Sequence, residues 1–128
     1  MKKAILFTLF VFGLLSAKAQ QDTTKKEYSI KYEVLTKKGE KILVNYFNEK
    51  GENAGATASE SWIYNFTTTN KNQNIQVSTV GGETARRMKS AKVWVKINIY
   101  VNGNLVKSTE EKVLGLGPTV QVNLNEIK

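Results

Sequence analysis

The chain contains no histidine and no cysteine among its 128 residues. Without them, Ser-His-Asp and Cys-His nucleophilic sites cannot be built, and neither can zinc sites made of imidazole or thiolate. Carboxylates are the groups left for general acid and base work, and they are scattered along the chain. The adjacent pair Glu110-Glu111 would point to opposite faces of a strand, because neighbouring strand residues do. A hydrolase would therefore need two carboxylates brought together across strands. The composition instead predicts a protein that is not an enzyme, uses no cofactor or metal, and works by binding.

Two groups of aromatic residues are candidates for that binding. Trp94, Lys96 and Tyr100 alternate with the aliphatic series Val93, Val95, Ile97, Ile99 and Val101. On a strand they share the face opposite that series, with Asn98 between them. Aromatic side chains beside a cation on a solvent face suit a partner surface, and they also suit plain cross-strand packing. Trp62, Tyr64 and Phe66 share a face of another strand. They form either part of the core or the lining of a pocket for an apolar ligand.

Other features carry less. Arg86, Arg87, Lys89 and Lys92 surround an irregular stretch, Gly81–Ser90, and read either as a solvated loop or as an anion or lipid head-group contact. Asn65-Phe66-Thr67 matches the glycosylation sequon, and its place within the aromatic strand makes it incidental.

The elements that must position these residues are strands. Period-two alternation runs through Tyr28–Val34, Trp62–Phe66, Val93–Val101 and Val120–Leu124. Ile42–Phe47 is apolar on both faces except at Asn45, Ile75 and Val77 head a short strand, and Leu105–Lys112 is a charge-rich return strand. Asn102-Gly103 between two of these runs is a strong hairpin signal. Lys37–Glu40, Asn48–Gly51, Asn70–Asn74 and Gly115–Pro118 read as turns, and the small, polar Asn53–Ser59 reads as a loop. Seven short strands without a helical period predict an all-β fold, a seven-stranded immunoglobulin-like antiparallel β-sandwich over residues 27–128.

The first residues set the compartment. Lys2 and Lys3 precede an apolar run, Ala4–Leu15, and then Ser16-Ala17-Lys18-Ala19. That order is the pattern of a secretory signal peptide over residues 1–19, cut after Ala19. As a helix Ala4–Ala17 would rise about 21 Å, short of a bilayer core of roughly 30 Å. An uncleaved anchor with snorkelling lysines is the alternative. Residues 20–26 form a polar lead-in. Loss of Lys2, Lys3 and Lys18 would leave 16 basic against 11 acidic side chains, a mild excess without a recognition motif for nucleic acid. The expected product is a soluble periplasmic or secreted protein.

Taken in order, Tyr32-Glu33-Val34, then Ile42–Gly51, then Trp62, then Val95–Gly103 with Leu105-Val106 resemble the exported domain of the MmpS family, small mycobacterial membrane proteins that are transport accessories. The shared features are a tyrosine-bearing first strand, a V-x-Y-x-(D/N)-x-x-G hairpin, a tryptophan strand and an I-x-V-(D/N)-G hairpin. Members of that family carry an uncleaved membrane helix and often two cysteines, where this chain has its signal pattern and the aliphatic surroundings of Ile97 and Val122. The resemblance implies a β-sandwich outside the cytoplasmic membrane that assists a large lipid or siderophore exporter, with no catalytic residue. The resulting expectation is an accessory or adaptor domain docking on an envelope transporter through Trp94, Lys96 and Tyr100. The alternative is a free carrier holding a lipidic ligand against Trp62, Tyr64 and Phe66.

Overall fold

A computed structural model describes residues 26–81, 92–113 and 115–127. The signal-peptide segment, most of the lead-in and the basic residues Arg86, Arg87 and Lys89 lie outside the described residues. What is described is all β apart from one 3-10 turn, Leu124–Glu126. No helix among these residues is long and apolar enough to cross a membrane.

The strands are β1 (Tyr28–Thr36), β2 (Lys41–Phe47), β3 (Asn53–Ser59), β4 (Ser61–Thr68), β5 (Ile75–Gly81), β6 (Val93–Val101), β7 (Asn104–Val113) and β8 (Leu116–Val122). They make two antiparallel four-stranded sheets, ordered β7-β6-β1-β4 and β3-β2-β5-β8. A single pair, Ser59 with Ser61, joins the sheets at a corner. Glu60 turns that corner with φ of 70°, and its carbonyl accepts the Thr36 amide at 2.9 Å. On the opposite side β7 and β8 run close together.

Among the described residues there are eight strands rather than seven. The extra one is β3, expected to be a loop because Asn53–Ser59 is built of alanine, glycine and small polar residues. Tertiary packing overrides that weak strand propensity. β3 pairs with β2 along its whole length. It turns Ala56 and Ala58 towards the core, where small side chains leave room for the rings of Tyr46, Trp62 and Tyr64. Two boundaries shift as well. β8 already begins at Leu116, inside the expected turn. Leu124 leaves the last strand for the 3-10 turn, which Asn123 caps by accepting the Asn125 amide.

The aliphatic series of β6 is the middle of the core. Val93, Val95, Ile97, Ile99 and Val101 are all at most 2% exposed. They pack with Ile30, Val34, Ile42, Val44, Ile75, Val77, Val120 and Val122 from both sheets. β-branched side chains suit such a pleated surface. The hairpin after β6 forms as the Asn-Gly pair requires, with φ of 52° at Asn102 and 83° at Gly103. Asn102 also ties the hairpin to β1, donating its amide to the Ser29 carbonyl and accepting the Ser29 amide on Oδ1. Gly117 is held by close approach: a Cβ there would collide with the Thr79 hydroxyl. Every buried side-chain polar atom among the described residues has a partner. The buried Thr36, for example, donates to the Trp94 carbonyl at 2.8 Å.

Candidate functional site

β1 and β6 lie side by side at the centre of the first sheet. Their alternation sends one set of side chains inward and presents Lys31, Glu33 and Leu35, with Trp94, Lys96, Asn98 and Tyr100, on the outer face. The register sets Glu33 opposite Asn98 and Lys31 opposite Tyr100, while Glu110 of β7 faces Lys96. The strict period predicts a fully exposed face. In the structure Trp94, Lys96 and Tyr100 are half-buried, and Asn98 is only 5% exposed. They are covered by one another and by polar side chains that bond across the strands.

Glu33 is the hub. Its Oε1 accepts from Asn98 Nδ2 at 2.9 Å and from the Tyr100 hydroxyl at 3.3 Å. The Ser108 hydroxyl donates to Asn98 Oδ1 at 2.6 Å. The Trp94 indole donates to Glu110 at 2.7 Å. The Lys31 ammonium sits 4.5 Å from the centre of the Tyr100 ring, a cation–π contact. Partial burial raises the Tyr100 hydroxyl above the usual tyrosine range, and the charge of Glu33 and its hydrogen bond push the same way. The Trp94 and Tyr100 rings and the Asn98 amide are thus each held by a neighbour across the strands, and groups so held lose less freedom in any further contact.

The sequence picks out Trp94, Lys96 and Tyr100 but not the supports. Glu33 and Ser108 lie on other strands, and only the register reveals that they meet Asn98. The available signal was an Asn amid the aromatic residues of β6 and a lone Glu on the polar face of β1.

The second aromatic group lies on the inner face of β4. Phe66 is buried, while Trp62 and Tyr64 are half-buried. They form a ladder with rings from β1 and β2. Tyr46 lies 4.9 Å from Trp62 and 4.7 Å from Tyr64, and Tyr32 lies 5.5 Å from Phe66, centroid to centroid. Tyr32 is fully buried, and its hydroxyl donates to the Phe47 carbonyl at 2.8 Å. Burial drives its ionisation well above the ordinary tyrosine range. Tyr64 donates to the Glu49 carboxylate at 2.7 Å. That bond raises Tyr64 to about 12 and holds Glu49 below its ordinary value. The ladder fills the gap where β3 and β4 diverge beyond Ser59 and Ser61.

Scanned against protein-family models the chain gives no match, and compared with curated proteins it gives none. The surface itself therefore carries the functional argument.

Two clefts stand out among the described residues. One, about 630 Å³, opens between β7 and the C-terminal turn and is lined by Val106, Lys107, Gln121, Val122, Asn123, Glu126 and Ile127. The other, about 400 Å³, is a hollow on the outer face of the second sheet. Neither is lined by Trp62, Tyr64 or Phe66. Of the basic group, Lys92 is described and exposed. Asn65 and Thr67 of the sequon are exposed on the outer face of β4. Among the described residues Glu33 accepts from Asn98 and Tyr100, Glu49 from Tyr64 and Glu110 from Trp94.

Proposed function

We propose that this chain is an exported, non-enzymatic binding domain that serves as an accessory or adaptor of an envelope transport system, in the manner of the MmpS family it resembles. Its fold is then an immunoglobulin-like sandwich, delivered to the periplasm or secreted after loss of residues 1–19. It docks through the outer face of the first sheet, with Trp94 and Tyr100 as aromatic anchors and Lys96 between them. The observation that carries this reading is the Glu33–Asn98–Ser108–Tyr100 network with its Trp94–Glu110 flank. Aromatic residues fixed among satisfied polar groups are what binding hot spots are made of.

The test is affinity purification of the tagged full-length protein from its native envelope, with mass spectrometry of both proteins and lipids. Wild type should retain membrane transporter subunits, and Trp94→Ala should lose them. The variant should lower stability by only about 1–2 kcal/mol, since the indole is half-buried. Collapse of the fold in Trp94→Ala would make the residue core and remove the surface reading.

A second reading, the carrier of an apolar or lipidic ligand, is favoured by the cleft between β7 and the C-terminal turn. Its volume of about 630 Å³ lies in the range of small-molecule sites. Val106, Val122 and Ile127 offer apolar contact there, and Lys107 and Glu126 offer charge. This moves the carrier site away from Trp62, Tyr64 and Phe66. Bound lipid without a protein partner in the same purification would favour the carrier over the adaptor.

A further inference from the structure

The outer face of the second sheet is unlike the rest of the surface. The strand registers place residues 41, 43, 45 and 47 of β2 on it, with their partners on β3, β5 and β8. Among the described residues the single charge on this face is Lys41, at one end. The chain as a whole is 23% charged. Near the Lys41 end runs an apolar rung, Leu43 beside Val80 and Val80 beside Leu116. Leu43 is 40% exposed and Leu116 is 86% exposed. Next to the rung is the hollow of about 400 Å³, lined by Leu43, Asn45, Gly55, Thr57 and Val80. It exists because Gly55 contributes no side chain.

We propose that this face is the contact of a weak two-fold homodimer. A face whose one described charge, the exposed Lys41, stands at its end can pack on its own copy with that ammonium left in solvent at the rim, so that no unpaired ion, which would be costly, is buried. It also carries a projection and a recess. Leu116 stands on β8 at one edge, and the hollow lies by β3 at the other. A two-fold axis lying along the strands, between β2 and β5, brings β8 of each copy over β3 of the other. Each Leu116 then covers the hollow of its partner, with the sheets stacked at ~10 Å. Four strands of seven residues give a flat area of roughly 440 Å² per copy at ~4.8 Å between strands and ~3.3 Å per residue. That is smaller than the ~800 Å² per partner of a stable complex, in keeping with a weak contact. The arrangement is back to back, leaving both Trp94 faces open.

Sedimentation velocity of the purified protein over a concentration series tests this. Leu116→Glu and Gly55→Glu are the informative variants, and both should fold. Leu116 faces solvent, and a Cβ at Gly55 would meet nothing closer than 3.8 Å. Thr67→Glu, on the other sheet, is the control. The dimer predicts concentration-dependent association that both informative variants weaken at least tenfold and the control leaves unchanged. A wild type that stays monomeric to about 1 mM overturns the proposal, as does association indifferent to both variants. A monomer that floats with phospholipid vesicles through Leu116 also overturns it and gives the face to a lipid surface.

Discussion

The two outer faces of this molecule are built from the same secondary structure and differ in almost everything else. The face of the first sheet carries Lys31, Glu33, Lys96, Glu110 and Lys112 around two large aromatic residues, knitted across three strands by side-chain hydrogen bonds. That of the second sheet carries, among the described residues, Lys41 as its one charge, with short amides and hydroxyls and a bare apolar rung. A networked face is rigid and charged, suited to recognising a particular partner of different chemistry. A neutral, shallow face discriminates little and is compatible with itself. Alternation alone assigns both faces to solvent. The difference shows that the outward half of a strand pattern holds as much information as the inward half.

The comparison can be sharpened by perturbing each region in turn, starting from the core that supports both. Ile97→Ala removes a fully buried side chain and should cost about 2–5 kcal/mol in chemical denaturation; a loss below about 1 kcal/mol would mean that the series does not hold the sheets together. Glu33→Ala comes next. It leaves the nearly buried Asn98 amide without its acceptor, at a cost of about 1–3 kcal/mol. Glu33→Gln, which keeps an acceptor oxygen, should recover most of it. Equal losses in the two variants would show that the network contributes charge and not order.

Alkaline pH separates the regions in another way. Burial raises Tyr32, and the Glu49 hydrogen bond raises Tyr64 to about 12. Tyr100 is raised as well, on the networked face. An unfolded tyrosine ionises near ~10, so above that pH the unfolded state loses protons that the native state keeps. The stability these groups supply is complete below ~10 and falls as pH rises from there through the folded value. The denaturation midpoint should decline over that interval. Tyr64→Phe should make the decline shallower and move Glu49 up towards the ordinary carboxylate range in an NMR titration. A midpoint that is flat to pH ~12 would contradict the tyrosine bonds. Leu116→Ser should give the smallest effect, within about 0.5 kcal/mol, because the leucine has little to lose in the monomer.

Much of this was legible in the residues. The β6 series, the Asn102-Gly103 hairpin and the inward ladder of Trp62, Tyr64 and Phe66 follow from period and turn chemistry, which act locally. What local reading misses is decided elsewhere in the chain. β3 is a strand because its alanines fit under rings contributed by β2 and β4. The half-burial of Trp94 and Tyr100 depends on Glu110 and Glu33, sixteen and sixty-seven residues away. The apolar rung joins Leu43, Val80 and Leu116, each unremarkable by itself, because the register of β2, β5 and β8 aligns them.

The most direct test of the division between the faces is site-specific photocrosslinking in the native envelope. One probe replaces Lys96 on the networked face and another replaces Thr119 on the neutral one, each in the full-length protein. The account predicts that the probe at 96 captures a membrane transport protein and that the probe at 119 captures a second copy of this chain. Capture of the same foreign partner from both positions, or of the transporter from 119 and not from 96, would contradict it.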